Sequence, residues 1–153
     1  MDETDRRFSA FMKDDSRRPQ ILQNKLVRLK TGLGWHTPTK QLLEASGDLS
    51  VQQLVAYHTV MTVFKVLNSD KPAYICSKLE LRRPQNDEVF PQRQKNTITV
   101  KNCRLSLSRG GFIYRGSKLF NSLPLNMRIE PKISSFRSKL KKWVRENVNI
   151  KAY

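Results

Sequence analysis

The chain has 153 residues, of which 38% are apolar, and a formal net charge of +16 from 29 Lys and Arg against 13 Asp and Glu. The apolar share is below the roughly 45–50% of ordinary globular chains, so one domain with a modest core is expected. Its longest dense apolar stretch, Val60 to Leu67, falls well short of the roughly 20 residues a bilayer span needs, and the charged start MDETDRRF is no secretory signal. Cys76 and Cys103 are far apart and suggest no disulfide framework, so an intracellular setting, nucleus or cytoplasm, is expected.

The charge is graded along the chain. Residues 1–15 hold three basic and five acidic groups, net −2, whereas residues 81–153 hold seventeen and four, net +13. A field this one-sided attracts polyanions. The expected partner is RNA or DNA, met mainly through its phosphate backbone. A membrane is not expected, because no segment has the long amphipathic, Trp-rich pattern of an interfacial helix.

In chain order, residues 1–18 read as an acidic, flexible lead-in. From Pro19 a helix is expected, with Ile21, Leu22, Leu26 and Leu29 at helical spacing as its apolar face. Gly32 and Gly34 end it. Thr37-Pro38 reads as an N-cap and first helical position of a short helix through Leu42 and Leu43, closed by Gly47 as a left-handed cap. Ser50-Val-Gln-Gln53 fits a capping box and opens the strongest helix, with Val51, Leu54, Val55 and His58 on one face and a centre at Val60–Leu67 that is apolar nearly all round. Pro72 opens a short helix with Tyr74, Ile75 and Leu79. The helical region so far covers residues 19–80.

Residues 81–97 read as an exposed basic and polar loop. Thr97-Ile-Thr-Val100 alternates like a strand, and Leu105, Leu107 and Phe112-Ile-Tyr114 suggest further short strands with Gly110-Gly111 as a turn. Residues 98–153 are therefore expected to form a β-hairpin followed by a basic C-terminal helix. The expected fold class is mostly α: a small helical domain with a short β-hairpin element near the C-terminal third.

Catalytic signatures are missing. His36, His58, Cys76 and Cys103 never fall at metal-ligand spacing, and no Gly-rich phosphate loop exists. His58 reads as a core histidine rather than a ligand. The pair Asp14-Asp15 resembles the aspartates of a polymerase only superficially, because two metal ions need carboxylates on a rigid apolar hairpin and here Lys13 precedes and Ser-Arg-Arg-Pro follows. No enzyme, cofactor or metal is expected.

The final helix, SSFRSKLKKWVRENV, is two-faced: at 100° per residue, Phe136, Leu140, Trp143 and Val144 fall within roughly 100°, and Arg137, Lys141, Lys142 and Arg145 within about 140°. Together with Arg104, Arg109, Arg115 and Lys118 just upstream, these cations are the candidate nucleic-acid-binding residues. Phe112, Tyr114, Phe120 and Leu123 are expected mainly to pack inward.

Three segments carry a resemblance. "LQNKLVRLKTGLGWHTPTKQLL" (22–43) resembles the region after the palm in reverse transcriptases of non-LTR retrotransposons of the jockey-like group. "GDLSVQQLVAYHTVMTVFKVLNSDKPAYI" (47–75) is similar to the next helical block of those enzymes. "RGGFIYRGSKLFNSLPLNMR" and "ISSFRSKLKKWV" (within 109–144) look like the end of such polyproteins, where Phe112, Tyr114, Asn121, Leu123, Pro124, Phe136 and Leu140 match and Phe120 replaces a usual Trp. The resemblance implies the thumb and tail of a reverse transcriptase without its palm: a non-catalytic fragment that clamps nucleic acid. The alternatives are a protein-interaction domain, docking through the Val51–Leu79 helices, and a retroelement remnant with no function.

Overall fold

The computed structural model describes residues 3–69, 72–82, 96–102, 104, 105, 108 and 110–148, with side chains from Arg17 onward and without that of Arg82. The chain is mostly helical, as the sequence predicts. The helices are α1 (Glu3–Thr31), α2 (Thr39–Ser46), α3 (Val51–Ser69), α4 (Ala73–Cys76), α5 (Phe112–Asn121), α6 (Leu125–Arg128) and α7 (Ile133–Asn147). Two two-residue strands, β1 (Leu81–Arg82) and β2 (Thr97–Ile98), pair antiparallel with Leu81 opposite Ile98. No helix among the described residues is long and apolar enough to cross a membrane.

The chain forms two compact units, one of Met1–Ala56 with Val144–Tyr153, the other of Tyr57–Trp143. The cuts fall inside α3 and α7, not near residue 81 where the sequence changes composition.

In the first unit the capping box forms as expected. The Ser50 N–H donates to Gln53 Oε1 at 3.0 Å, and the Gln53 N–H donates to Ser50 Oγ at 3.3 Å. Gln53 also donates from Nε2 to the Val148 carbonyl at 3.0 Å, so one side chain closes the start of α3 and the end of α7. Gln20 accepts from the Val51 N–H at 2.9 Å and donates to Asn24 Oδ1 at 2.9 Å. Asn24 donates to Thr39 Oγ1, and Gln23 to the Leu49 carbonyl. Gln20, Asn24, Ser50 and Gln53 are all buried, so this is a polar core in which the buried groups find partners.

That network inverts α1. The expected apolar face is outside: Leu22 is 61% exposed, Leu26 66% and Leu29 82%, and Ile21 is exposed too. Gln20, Asn24 and Val27 face inward instead. Amide side chains fit the orphan N–H and C=O groups of the α2–α3 turn, which leucines could not satisfy. The end of α1 follows the sequence, with Gly32 at φ 70° and its N–H on the Arg28 carbonyl. The Gly47 cap also forms at φ 70°. Helix α2 starts one residue later than expected, because Pro38 itself is the N-cap and accepts from the Leu42 N–H.

The second unit holds the larger share of the buried apolar side chains among the described residues. Val60, Val63, Phe64 and Val66 of α3 are buried with Phe120, Leu123, Met127, Phe136 and Leu140. The rings of Phe64 and Phe136 stack with centroids 3.8 Å apart and planes 8° from parallel. His58 is exposed, not a core histidine, because it lies across α3 from Val60 and Val63.

The β element is smaller and earlier than expected. Phe112-Ile-Tyr114 is the first turn of α5, and Gly111 is its N-cap at φ −63°, ψ 151°. What replaces the hairpin is a side chain: Asn121 donates from Nδ2 to the Ile98 carbonyl and accepts the Ile98 N–H at Oδ1, both at 2.8 Å. A carboxamide pairs the free edge of β2 as a third strand would. Leu107 and residues 83–95 of the expected loop lie outside the described residues, as does the side chain of Asp14 and Asp15.

Gly116 explains how α5 approaches α3. A Cβ there would stand 2.8 Å from Val63 Cγ2 and 3.5 Å from Thr59 Cγ2. Alanine in a helix interior gains roughly 0.5–1 kcal/mol over glycine. Overpacking against a rigid β-branched methyl costs about 1–3 kcal/mol, and wins. Gly116→Ala is therefore expected to lower the melting temperature by a few degrees, whereas the same change at Gly34, which has nothing within 4 Å of such a Cβ, leaves it unchanged; thermal melts of the two variants check this.

Candidate nucleic-acid interface

The two faces of α7 separate as the sequence predicts. Phe136, Leu140 and Val144 are fully buried, and Trp143 is half-buried. Arg137, Lys141, Lys142 and Arg145 are exposed. Arg137, Lys141 and Arg145 fall at i, i+4 and i+8, one row along the helix surface. The only acid in α7 is Glu146. Lys139 is engaged elsewhere: its ammonium bonds Glu130 and, by that hydrogen bond first, holds the Glu130 carboxyl below its ordinary range.

Helix α5 carries the other cations. Arg115 and Lys118 are exposed three residues apart, and the helix has no acidic residue. Lys118 Nζ lies 4.8 Å from the centroid of the Tyr114 ring, a cation–π contact one turn along. Arg104 is exposed in the segment before the helix. Arg109 lies outside the described residues. The second unit thus holds Arg104, Arg115, Lys118, Arg137, Lys141 and Lys142.

Arg145 differs from the rest. It belongs to the first unit, where Nη2 donates to the Gly47 carbonyl at 2.8 Å. A change there removes a bond to the end of α2 as well as a charge.

The aromatics are only partly the packing residues the sequence suggests. Phe120 is 1% exposed and sits in the core. Phe112 is 36% exposed and Tyr114 half-buried, because helical geometry turns them about 200° apart where a strand would have set both on one face.

Sequence reasoning missed a cleft of about 400 Å³ in the second unit, lined by Lys78, Lys101, Ser108, Ile113, Tyr114 and Ser117 among others. Its residues come from α5 and from the segments flanking α4 and β2, dozens of positions apart. No spacing rule would collect them.

Comparison with protein-family models, with curated proteins and with solved structures gives no match to this chain.

The basic row of α7 can be tested apart from the fold. Exposed substitutions that break no bond usually stay within about 0.5 kcal/mol. An Arg137→Gln/Lys141→Gln/Lys142→Gln variant is expected to melt like the parent, to bind a labelled oligonucleotide more weakly, and to flatten the salt dependence of binding by up to about 3 in slope. Melts and titrations at two salt concentrations check both halves.

Proposed function

We propose that the chain is a non-catalytic nucleic-acid-binding module that holds the phosphate backbone with the exposed cations of α5 and α7. The observation that supports this most is the sorting of α7: its aromatic and aliphatic residues are buried, while Arg137, Lys141 and Lys142 stand in solvent with Glu146 the one acid on the helix. The resemblance of residues 22–43, 47–75 and 109–144 to the thumb and tail of non-LTR retrotransposon reverse transcriptases agrees with this reading. Under that resemblance, the core roles of Phe120, Leu123, Phe136 and Leu140 make them scaffold, and the arginines and lysines between them make the contact surface.

Binding of this kind is electrostatic and tolerant of sequence. If about five or six phosphates of a duplex are neutralised, log K falls with log salt at a slope of roughly −5. Titrations of a random-sequence duplex across a salt series measure the slope. A slope near zero, or strong preference among sequences of equal length, overturns the reading.

A second reading, a protein-interaction domain, is favoured by α1 and not by α3, whose Val60, Val63, Phe64 and Val66 are buried. Ile21, Leu22, Leu26 and Leu29 expose an apolar strip on a 29-residue helix. Residues 1–15 carry net −2, and residues 16–31 carry five basic groups and no acid. Two copies of α1 side by side in opposite directions would set each acidic half against a basic half. On this reading the chain sediments as a dimer at micromolar concentration, and Leu26→Lys/Leu29→Lys makes it monomeric without lowering its melting temperature. A parent chain that sediments as a monomer throughout removes this reading.

A further inference from the structure

The loop between α1 and α2 holds an aromatic ring out in solvent. Trp35 is 72% exposed, although a tryptophan ordinarily buries most of its large ring. The ring is nonetheless fixed. The Thr37 N–H bonds the Gly34 carbonyl at 3.1 Å, which closes a four-residue turn with Trp35 and His36 at its corner. Arg28, half-buried in the last turn of α1, reaches this turn from inside. Its Nη2 donates to the Thr37 carbonyl at 3.2 Å, and its guanidinium carbon lies 5.6 Å from the centroid of the Trp35 ring, a cation–π contact on one side. Turn and guanidinium together order the ring while leaving most of it open, so little freedom is lost when a flat ligand settles on it.

The charge on either side of the loop is the second and independent observation. Residues 16–43 hold six basic groups and no acid. Lys25 and Lys30 on α1 and Lys40 on α2 are exposed, on the two helices that the loop joins. Lys30 lies 3.6 Å from Asp48, but both ends of that pair are in solvent, so a phosphate can take its place at little cost. A protein that covered Trp35 would have to bring acidic side chains as well as an apolar surface. A single nucleic-acid strand brings both parts in one repeating unit: bases for the ring and phosphates for the cations.

We propose that Trp35 is a stacking platform for an unpaired base of a single-stranded nucleic acid, with Arg28 as the residue that positions the ring. This rests on the nucleic-acid reading above and adds to it a contact of another kind. Trp35 and Arg28 belong to the first unit, whereas Arg115, Lys118, Arg137, Lys141 and Lys142 belong to the second. Every base has a π face, so stacking on the ring tolerates sequence, as the phosphate contacts do. It does not tolerate pairing. In a duplex the bases already stack on one another and the ring cannot reach their faces. The platform therefore gives the chain a preference for single strands that its charge alone does not give.

The test uses the full chain and two labelled single strands of equal length, one with its bases and one made of abasic sites, which keeps the phosphates and removes the faces. The strand with bases is expected to bind about tenfold more tightly. Trp35→Ala should remove most of that difference, leave the affinity for the abasic strand and for a duplex unchanged, and melt like the parent, because the ring is exposed. Trp35→Phe should keep part of the difference. Indole fluorescence of the parent should be quenched by the strand with bases and not by the abasic one, and Trp35→Phe should lose that quenching. Equal affinity of the parent for the two strands overturns the platform and leaves backbone binding standing. A difference that persists in Trp35→Ala overturns it too, since the bases then rest elsewhere, and so does an equal loss of affinity for both strands in that variant. Binding of the strand with bases alone, with a salt slope near zero, supports the platform and removes the phosphate reading. Binding of neither strand overturns both, and a parent dimer that Trp35→Ala breaks would then assign the ring to a protein contact.

Discussion

Gln53 is the side chain on which the first unit depends most. Its Oε1 accepts the Ser50 N–H, its own N–H donates to Ser50 Oγ, and its Nε2 reaches the Val148 carbonyl. Helix ends leave backbone groups without partners, and burying them unpaired costs about 1–3 kcal/mol each. Gln53 answers for two helix ends at once, the start of α3 and the end of α7. An amide can do that because it carries a donor and an acceptor on one planar group. A Glu in the same place would complete the capping box but would set a negative charge against the Val148 carbonyl.

The same demand for partners decides the orientation of α1. Gln20, Gln23 and Asn24 reach the Val51 N–H, the Leu49 carbonyl and Thr39 Oγ1. Their face is therefore inside, and the leucines, on the opposite side of the wheel, are outside. The rule that apolar faces pack inward fails here because, although α1 packs along α2, its inner face also has to satisfy Thr39 and the backbone groups of Leu49 and Val51 in the turn between α2 and α3. The result is an exposed apolar strip of Leu22, Leu26 and Leu29.

In the second unit the order is the usual one. Stacked Phe64 and Phe136, with Leu140 and Phe120 also buried, form an apolar centre. Once Phe136 and Leu140 are buried, 3.6-residue periodicity forces Arg137 and Lys141 outward. The basic row is thus a consequence of the core, and the same periodicity that makes the helix amphipathic makes it a track of positive charge. Asn121 and Gly116 do comparable work on α5: the first closes the edge of β2 with an amide, and the second lets α5 lie against Val63.

Local patterns in the sequence determined a good deal: the mostly helical class, the capping box at Ser50 and Gln53, the end of α1 at Gly32, the left-handed cap at Gly47, the core centred on Val60–Leu67, and the split between Phe136, Leu140 and Val144 and the cations of α7. Each of these is set within about one turn of helix, where capping chemistry and periodicity act and distant residues have little say. The tertiary structure alone decided the rest. Phe112-Ile-Tyr114 reads as a short strand but forms the first turn of α5, and Asn121 at the end of that helix bonds the edge of β2 in its place. Arg145 looks like one more surface cation until Gly47, 98 positions away, accepts its guanidinium. These outcomes turn on which groups meet across long stretches of chain, and hydrogen-bond partners and clefts of that kind leave no period in the sequence.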